Sequence, residues 1–324
     1  MTLPARITIV RHGESEANVA QKLTKAGRGE ELPLAAYDAR HDAYMRLTPE
    51  GVKQAESAGH WLYAEAAREM KVAGLVPHAG FDRFYTSPHI RTKETALHLD
   101  LGGEWREEDR LRERDWGQVV SHRMMDDDTK RVRNLHEWYW KPQGGESLAT
   151  GLRGRVESLM TSFYRRKDVE NIILVGHGEV IRVFQFVVER LSPESFLEQE
   201  EDPSKKIQNT MIVQYACINP LDPEDNYRHS HYKWRRAICP WDRSLDWDNG
   251  EWVSVDIKKK SDKDLLESVE KFPRLLAEFD EKKKVKGSKF FAVVSYAVNP
   301  RHILIDLKAA RLRRAVSRDP NKWF

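Results

Sequence analysis

The chain has 324 residues, 40% apolar and 32% charged, which is the composition of a soluble globular protein with room for one large domain or two smaller ones. No run of 18 apolar residues occurs, so no membrane span is expected. The opening MTLPARITIVRHG enters a strand too soon to leave room for a signal peptide, and a cytoplasmic location is expected. The net charge of +3 is uneven: residues 217–324 carry 23 basic and 17 acidic side chains, while 1–216 carry 31 and 34.

RITIV (6–10) reads as a short buried strand that stops at Arg11, His12 and Gly13. Thr48-Pro49-Glu50 has the composition of a helix start, and Val52, Ala55, Gly59, Leu62 and Ala66 follow at helical spacing. FDRFYTSP (81–88) reads as a second strand, broken by Pro88, and a helix carrying Arg91 and Thr95 follows. After the turn Gly144-Gly145 a helix is expected over 147–166. NIILV (171–175) is a strand apolar enough to be covered on both faces, and it stops at Gly176-His177-Gly178. Val180–Val188 reads as a buried helix and 207–218 as a further strand. This alternation predicts an α/β fold, a three-layer sandwich with a mainly parallel sheet flanked by helices. In such sheets ligands sit beyond the carboxyl ends of the strands. Three strands here end in polar residues there, at RHG, TSP and GHG.

Beyond residue 216 the texture changes together with the charge. A boundary is therefore expected there, with a domain over 1–216 and a basic, Trp-containing α+β extension over 217–324 packed on it. Five of the ten tryptophans fall in the extension, and Asp248-Asn249-Gly250 has the pattern of a hairpin turn between Trp-containing strands. An amphipathic helix is expected over 262–281, kinked or split at Pro273. Strands are expected at 290–298 and 302–307, and a basic helix at the end.

The strand ends supply two histidines, His12 and His177, and two arginines, Arg11 and Arg91, with Glu113 in a further loop. This set suits phosphoryl chemistry. Guanidinium groups bind phosphate oxygens bidentately and stay charged. A neutral imidazole can attack phosphorus, and a carboxylic acid can protonate the leaving oxygen and then activate water. Cys217 and Cys239 form neither a metal-ligand pattern nor a disulfide framework. No cofactor and no metal is expected.

The ordered motifs RHGESEAN (11–18), LTPEG (47–51) with Gln54-Ala55, YTSP (85–88) with Arg91 and Thr95, LRERDWG (111–117), GGES (144–147) and VGHG (175–178) resemble those of the histidine phosphatase superfamily, which contains phosphoglycerate mutases and many phosphatases. The resemblance covers roughly residues 5–216. It implies that His12 is the nucleophile, forming phosphohistidine, and that Glu113 is the general acid and base. It further implies that Arg11, Asn18, Arg91 and His177 bind the phosphate. Read as a residue alone, Asn18 could instead cap the following helix. Glu107, Glu108 and Asp115 are rival acids to Glu113. Ser15, Ser87 and Gly145 are read as shaping loops, and His89 as a surface histidine. The aromatics of EWYWKP (137–142) could be a lid facing the substrate or simple packing.

LRERDWG followed by QVVSHRM, and WYWKPQGGES, are similar to phosphatase members. Mutases usually carry an asparagine-serine pair where Glu179-Val180 stands here. The expected activity is therefore a metal-independent phosphomonoesterase, with a phosphoglycerate mutase-type phosphotransferase or a non-catalytic phospho-ligand-binding scaffold as alternatives. Arg131, Arg133 and Lys141 could offset the acidity of Glu179. The expected partner is a small phosphorylated substrate, with a homo-oligomer as an option through the extension. Nucleic acid is not expected, because acids nearly balance the lysines of the extension, and no membrane is expected for want of an apolar span.

Overall fold

The computed structural model describes residues 3–73, 80–119, 125–164, 169–222, 224–225, 227–257 and 259–272. In chain order the elements are β1 (Arg6–Arg11), α1 (Glu16–Lys25), α2 (Leu34–Asp38), α3 (Pro49–Ala73), β2 (Arg83–Thr86), α4 (Ile90–His98), β3 (Trp105–Glu107), α5 (Asp127–His136), α6 (Arg153–Phe163), β4 (Asn171–Gly176), α7 (Gly178–Glu189), α8 (Pro193–Glu201), β5 (Ile212–Ala216), β6 (Trp234–Ile238), β7 (Val253–Ser254) and α9 (Asp262–Glu270).

The seven strands form one sheet in the order β3-β2-β4-β1-β5-β6-β7. β3, β2, β4 and β1 run parallel. β5, β6 and β7 complete the sheet antiparallel. The sheet is thus mixed: the expected α/β sandwich has a parallel core of four strands, continued on one side by three antiparallel ones. Among the described residues the links after β5 and β6 carry no α-helix, and a parallel neighbour needs such a crossover.

Two apolar clusters cover the two faces, and strand alternation assigns residues to them. Ile7, Ile9, Ile172 and Leu174 pack with Val156 and Leu159 of α6 and with Val180 and Phe184 of α7. Val10, Ile173 and Val175 pack with Ala58 and Leu62 of α3, with Ala96 of α4 and with Leu99 at its C-cap. Both faces of β1 and β4 are therefore buried, which is why β4 reads as an unbroken apolar run and β1 as one interrupted only by Thr8.

Helix starts follow their caps. Ser15 and Asn18 form a reciprocal capping box on α1. Thr48 Oγ1 accepts from Gly51 N–H at the head of α3, with Pro49 in its first turn. The helix expected over 147–166 begins as a π-turn, Leu148–Leu152, capped by Ser147, and continues as α6.

The boundary expected near residue 217 falls inside the sheet. β6 pairs with β5 over five residues and β7 pairs with β6, so residues up to about 257 belong to the core that contains β1. Residues 217–257 carry 5 basic and 8 acidic side chains, so the basic excess belongs to 258–324 and the change of charge falls near residue 258 rather than at 217. The compact unit runs to Lys258, and Lys259 onward forms a second unit. Asp248-Asn249-Gly250 is a left-handed turn with φ of 51°, 56° and 74°. However, it lies within the longer link between β6 and β7 and does not close a tight hairpin. The strand expected over 207–218 begins only at Ile212. Of the helix expected over 262–281, α9 is described; Pro273, the strands at 290–298 and 302–307 and the basic terminal helix lie outside the described residues. Among the described residues no helix is long and apolar enough to cross a membrane.

Candidate active site

β1 carries Arg11 to its end and delivers His12 just beyond. His12 N–H continues the sheet by donating to Gly176 O at 3.0 Å. The turn is possible because two glycines meet back to back. A Cβ on Gly13 would lie 2.3 Å from Gly51 O, and one on Gly51 would lie 2.0 Å from Glu14 O. Gly13 N–H donates to Thr95 Oγ1 at 3.0 Å. RHG, LTPEG and the Arg91–Thr95 helix are thus three parts of one packing arrangement.

The His12 side chain is 2% exposed. Its Nδ1 lies 2.7 Å from Gly13 O. A carbonyl oxygen only accepts, so Nδ1 carries the proton and Nε2 keeps its lone pair. Burial, then Arg91 and Arg11, push the His12 pKa well below that of an ordinary histidine. The ring is neutral with one nitrogen free.

Arg11 donates from Nη1 to Ile207 O at 2.6 Å, while its buried Nε has no hydrogen-bond partner among the described residues. Arg91, 3% exposed, is held by Asp42: Nη1 donates to its carbonyl at 2.7 Å and Nη2 to its carboxylate at 3.0 Å. His177 is fully buried, its ring centroid 5.2 Å from that of His12. Its Nε2 is 2.9 Å from Ser87 Oγ and its Nδ1 is 3.8 Å from Glu113 Oε2. Burial and Arg91 hold its pKa well below the usual value as well. Asn18 does cap α1, but its Oδ1 also accepts from Asn209 Nδ2 at 3.1 Å. With the oxygen occupied, its amide nitrogen remains as a donor.

Glu113 is mostly buried and its Oε1 accepts from Arg114 N–H at 3.0 Å. Burial raises its pKa against the pull of Arg91. Its rivals are engaged elsewhere: Glu107 pairs with Lys93 and Glu108 with Arg110, while Asp115 is exposed and accepts from Gly117 N–H. Of the four acids, Glu113 is the one within 4 Å of a site histidine. Its loop is tied down by GGES. Glu146 accepts from Asp115 N–H and pairs with Arg155, whose guanidinium also reaches the carbonyls of Arg110 and Arg112.

Beside Glu113, Arg114 lies over the rings of Trp116 and Trp140, at 4.6 and 5.5 Å from their centroids, and 3.7 Å from Glu179. Burial and the nearby Glu113 push the Glu179 pKa up to about 8. The aromatics of EWYWKP divide. Trp138 packs in the core against Phe186 and Phe196, Trp140 covers Arg114, and Tyr139 is 72% exposed. Arg131 and Arg133 pair within α5, with Asp128 and Glu137.

Sequence reasoning placed His89 on the surface. The structure puts its ring 4.7 Å from His177, half-buried, with burial and Arg91 lowering its pKa to about 4. Its place one residue after the TSP strand end was the available signal. Ser87, read as a loop residue, holds His177. Asn209 was missed. Its Nδ2 donates to His12 O at 3.0 Å, and nothing in its local sequence marks it. Among the described residues no group of three or more His, Cys, Asp or Glu could hold a metal ion.

The family profile described as histidine phosphatase superfamily (branch 1) matches residues 7–204. A phosphoglycerate mutase-like protein of Arabidopsis thaliana, AT74, is 32% identical over 219 residues, covering 60% of this chain and 60% of that protein. A 2,3-bisphosphoglycerate-dependent phosphoglycerate mutase of Bradyrhizobium diazoefficiens is 32% identical over 210 residues, covering 60% of this chain and 86% of that protein. The chain thus spans less than two thirds of the length of the Arabidopsis relative. A phosphoserine phosphatase structure from Entamoeba histolytica superposes with a TM-score of 0.49 at 19% identity, covering 71% of this chain and 93% of that one. With the profile spanning more than half of its length, the chain belongs to the histidine phosphatase superfamily, branch 1.

Proposed function

We propose that the protein is a phosphomonoesterase working through a phosphohistidine on His12. The observation that carries this reading is the Nδ1–H···O=C contact to Gly13, which leaves Nε2 of a neutral ring free to attack. Arg11, Arg91, His177 and Asn18 bind the phosphoryl oxygens. Nε2 of His12 forms a bond to phosphorus while the ester P–O bond breaks, and the Glu113 carboxylic acid gives its proton to the leaving alkoxide. Water then attacks phosphorus, the P–N bond breaks, and Glu113 takes the proton from that water, releasing phosphate and restoring His12. Developing charge is met by the two guanidinium groups, so the cycle requires no metal.

Brief incubation with a labelled phosphomonoester and alkaline quenching is expected to leave acid-labile label on the protein, and His12→Ala to abolish it. Turnover is expected to survive EDTA and to be inhibited by vanadate, which mimics five-coordinate phosphorus. Label on serine, or loss of activity with EDTA restored by a divalent ion, overturns the reading.

A mutase-type transfer is the second reading, favoured by the match to 86% of the length of the Bradyrhizobium enzyme. Hydrolysis is preferred because Glu179-Val180 stands after Gly178 where mutases usually carry an asparagine-serine pair. Label passing from the protein to a phosphoglycerate acceptor, rather than to water, decides for the mutase.

A further inference from the structure

The carbonyl of His12 is held from a segment of the chain beyond the part the family profile matches. Asn209 Nδ2 donates to it at 3.0 Å and Thr210 N–H at 3.3 Å. The other Nδ2 hydrogen of Asn209 goes to Asn18 Oδ1 at 3.1 Å. One side-chain amide therefore links the backbone of the nucleophile to a residue of the phosphate set. The same peptide plane leads directly into Gly13, whose carbonyl fixes the proton on Nδ1 of His12.

Asn209 stands on a turn closed by Met211 N–H donating to Gln208 O at 3.1 Å and flanked by Arg11, whose N–H donates to Met211 O at 3.1 Å and whose Nη1 donates to Ile207 O at 2.6 Å. Thr210, β-branched and fully buried, has φ of +52°, in the left-handed region that such residues avoid. The carbonyl of Asn209 accepts from Thr210 Oγ1 at 2.8 Å, and the link between β6 and β7 adds a second hold on it from outside the turn. Trp241 Nε1–H donates to Asn209 O at 2.8 Å, although its ring is 38% exposed. Trp247 Nε1–H reaches Lys206 O at 3.4 Å on the same segment. An exposed indole whose N–H goes to a backbone oxygen two hydrogen bonds from the nucleophile contributes little to the core.

We propose that Trp241 is a positioning residue for the His12 nucleophile, acting through the turn at Asn209. The inference rests on the phosphohistidine reading, because what it positions is the attacking ring. A nucleophile displaced by a fraction of an ångström attacks more slowly while phosphate binding to the arginines is retained, since misplacement of about 1 Å can cost on the order of 100-fold.

The test is Trp241→Phe, which keeps the ring and removes the donor, measured beside the full-length wild type. The rate of label appearance on His12 in single turnover is expected to fall about tenfold, with KM and thermal midpoint unchanged. Asn209→Ala is expected to slow labelling at least as much, and the double variant to be no slower than Asn209→Ala alone, because coupled residues are not additive. An unchanged labelling rate in Trp241→Phe overturns the proposal. So does a loss that follows a fall in thermal midpoint, or full additivity with Asn209→Ala. Absence of label from wild-type His12 instead sinks the phosphohistidine reading, an outcome visible before any variant is made.

Discussion

Asp42 grips the Arg91 guanidinium with both its backbone carbonyl and its carboxylate, at 2.7 and 3.0 Å. That guanidinium is 3% exposed, so the residue of the 26–46 loop that reaches it occupies donors an incoming phosphate needs. Binding an anion must exchange one carboxylate for another acceptor. Asp42→Asn removes the competing charge and keeps the shape. Inhibition by inorganic phosphate or vanadate is expected to tighten by about three- to tenfold, a modest factor because the Asp42 side chain is 43% exposed and screened. An unchanged or weakened inhibition constant would show that Asp42 orients Arg91 rather than competing for it.

The pH profile follows from two opposite shifts. In the proposed mechanism His12 acts when neutral, and burial and the arginines hold its pKa well below the usual value, so the acid limb of kcat/KM is expected below pH 6.5. In the same mechanism Glu113 can protonate the leaving group only while it keeps its proton. Its pKa is raised, so activity is lost as pH climbs through that raised value. Glu113→Gln is expected to slow hydrolysis of alkyl phosphates by about 100-fold or more. It should leave 4-nitrophenyl phosphate much less affected, because that leaving group needs no proton. Equal losses on both substrates argue for a structural role of Glu113.

Stability carries a related signature. His12, His177 and His89 are neutral in the folded state with lowered pKa values, His89 near 4. Above about pH 6.5 the folded and unfolded forms are both neutral and nothing is lost. Below it the unfolded chain binds protons that the folded chain refuses, at about 1.4 kcal/mol per pH unit for each histidine. The thermal midpoint is therefore expected to fall as pH drops from 6.5 towards 4, and His89→Asn to flatten that fall. A midpoint that rises or holds constant over this window contradicts the buried neutral cluster.

The back-to-back glycines give a sharp structural test. Gly51→Ala places a methyl 2.0 Å from Glu14 O, where backbone rather than a flexible side chain must yield. Destabilisation of about 3 kcal/mol or more is expected, together with loss of labelling on His12. A variant of wild-type stability would mean that the turn can shift freely.

The parts of the site that sit at strand ends were legible from sequence, because a strand apolar on both faces that stops at a polar residue announces its carboxyl end. Arg11, His12 and His177 were readable for that reason, and Arg91 through helical spacing after TSP. Asn209 was not, because its role depends on a left-handed Thr210 and on a tryptophan 32 residues later, and neither leaves a local pattern. His89 was misread because burial by loops carries no periodicity. The mixed half of the sheet was hidden for a different reason. β6, WRRAI, carries two arginines, yet Arg236 is only 7% exposed and lies over the rings of Trp61 and Trp252. A charged strand reads as surface until its cover is known.

That strand sets the outcome of truncation. Arg236 donates from Nε to Gln214 Oε1 at 2.7 Å, and Gln214 donates to Thr8 Oγ1 at 3.0 Å, a buried polar chain from β6 through β5 to β1. Ending the protein after Ile218 removes Arg236, exposes the edge of β5 and strands the Gln214 carbonyl in the interior. It also deletes Trp241 and Trp247, which hold the turn beneath His12. An unpaired, apolar strand edge is a template for aggregation, so this fragment is expected to be insoluble or to precipitate on refolding. Ending instead after Lys260 keeps β6, β7 and both tryptophans within the compact unit that closes at Lys258. That fragment is expected to be soluble, to unfold cooperatively and to acquire label on His12 at the full-length rate. If the shorter fragment were soluble and labelled normally, β6, β7 and the two tryptophans would be dispensable. If the longer one lost labelling while staying folded, residues beyond 260 would have to contribute to the site.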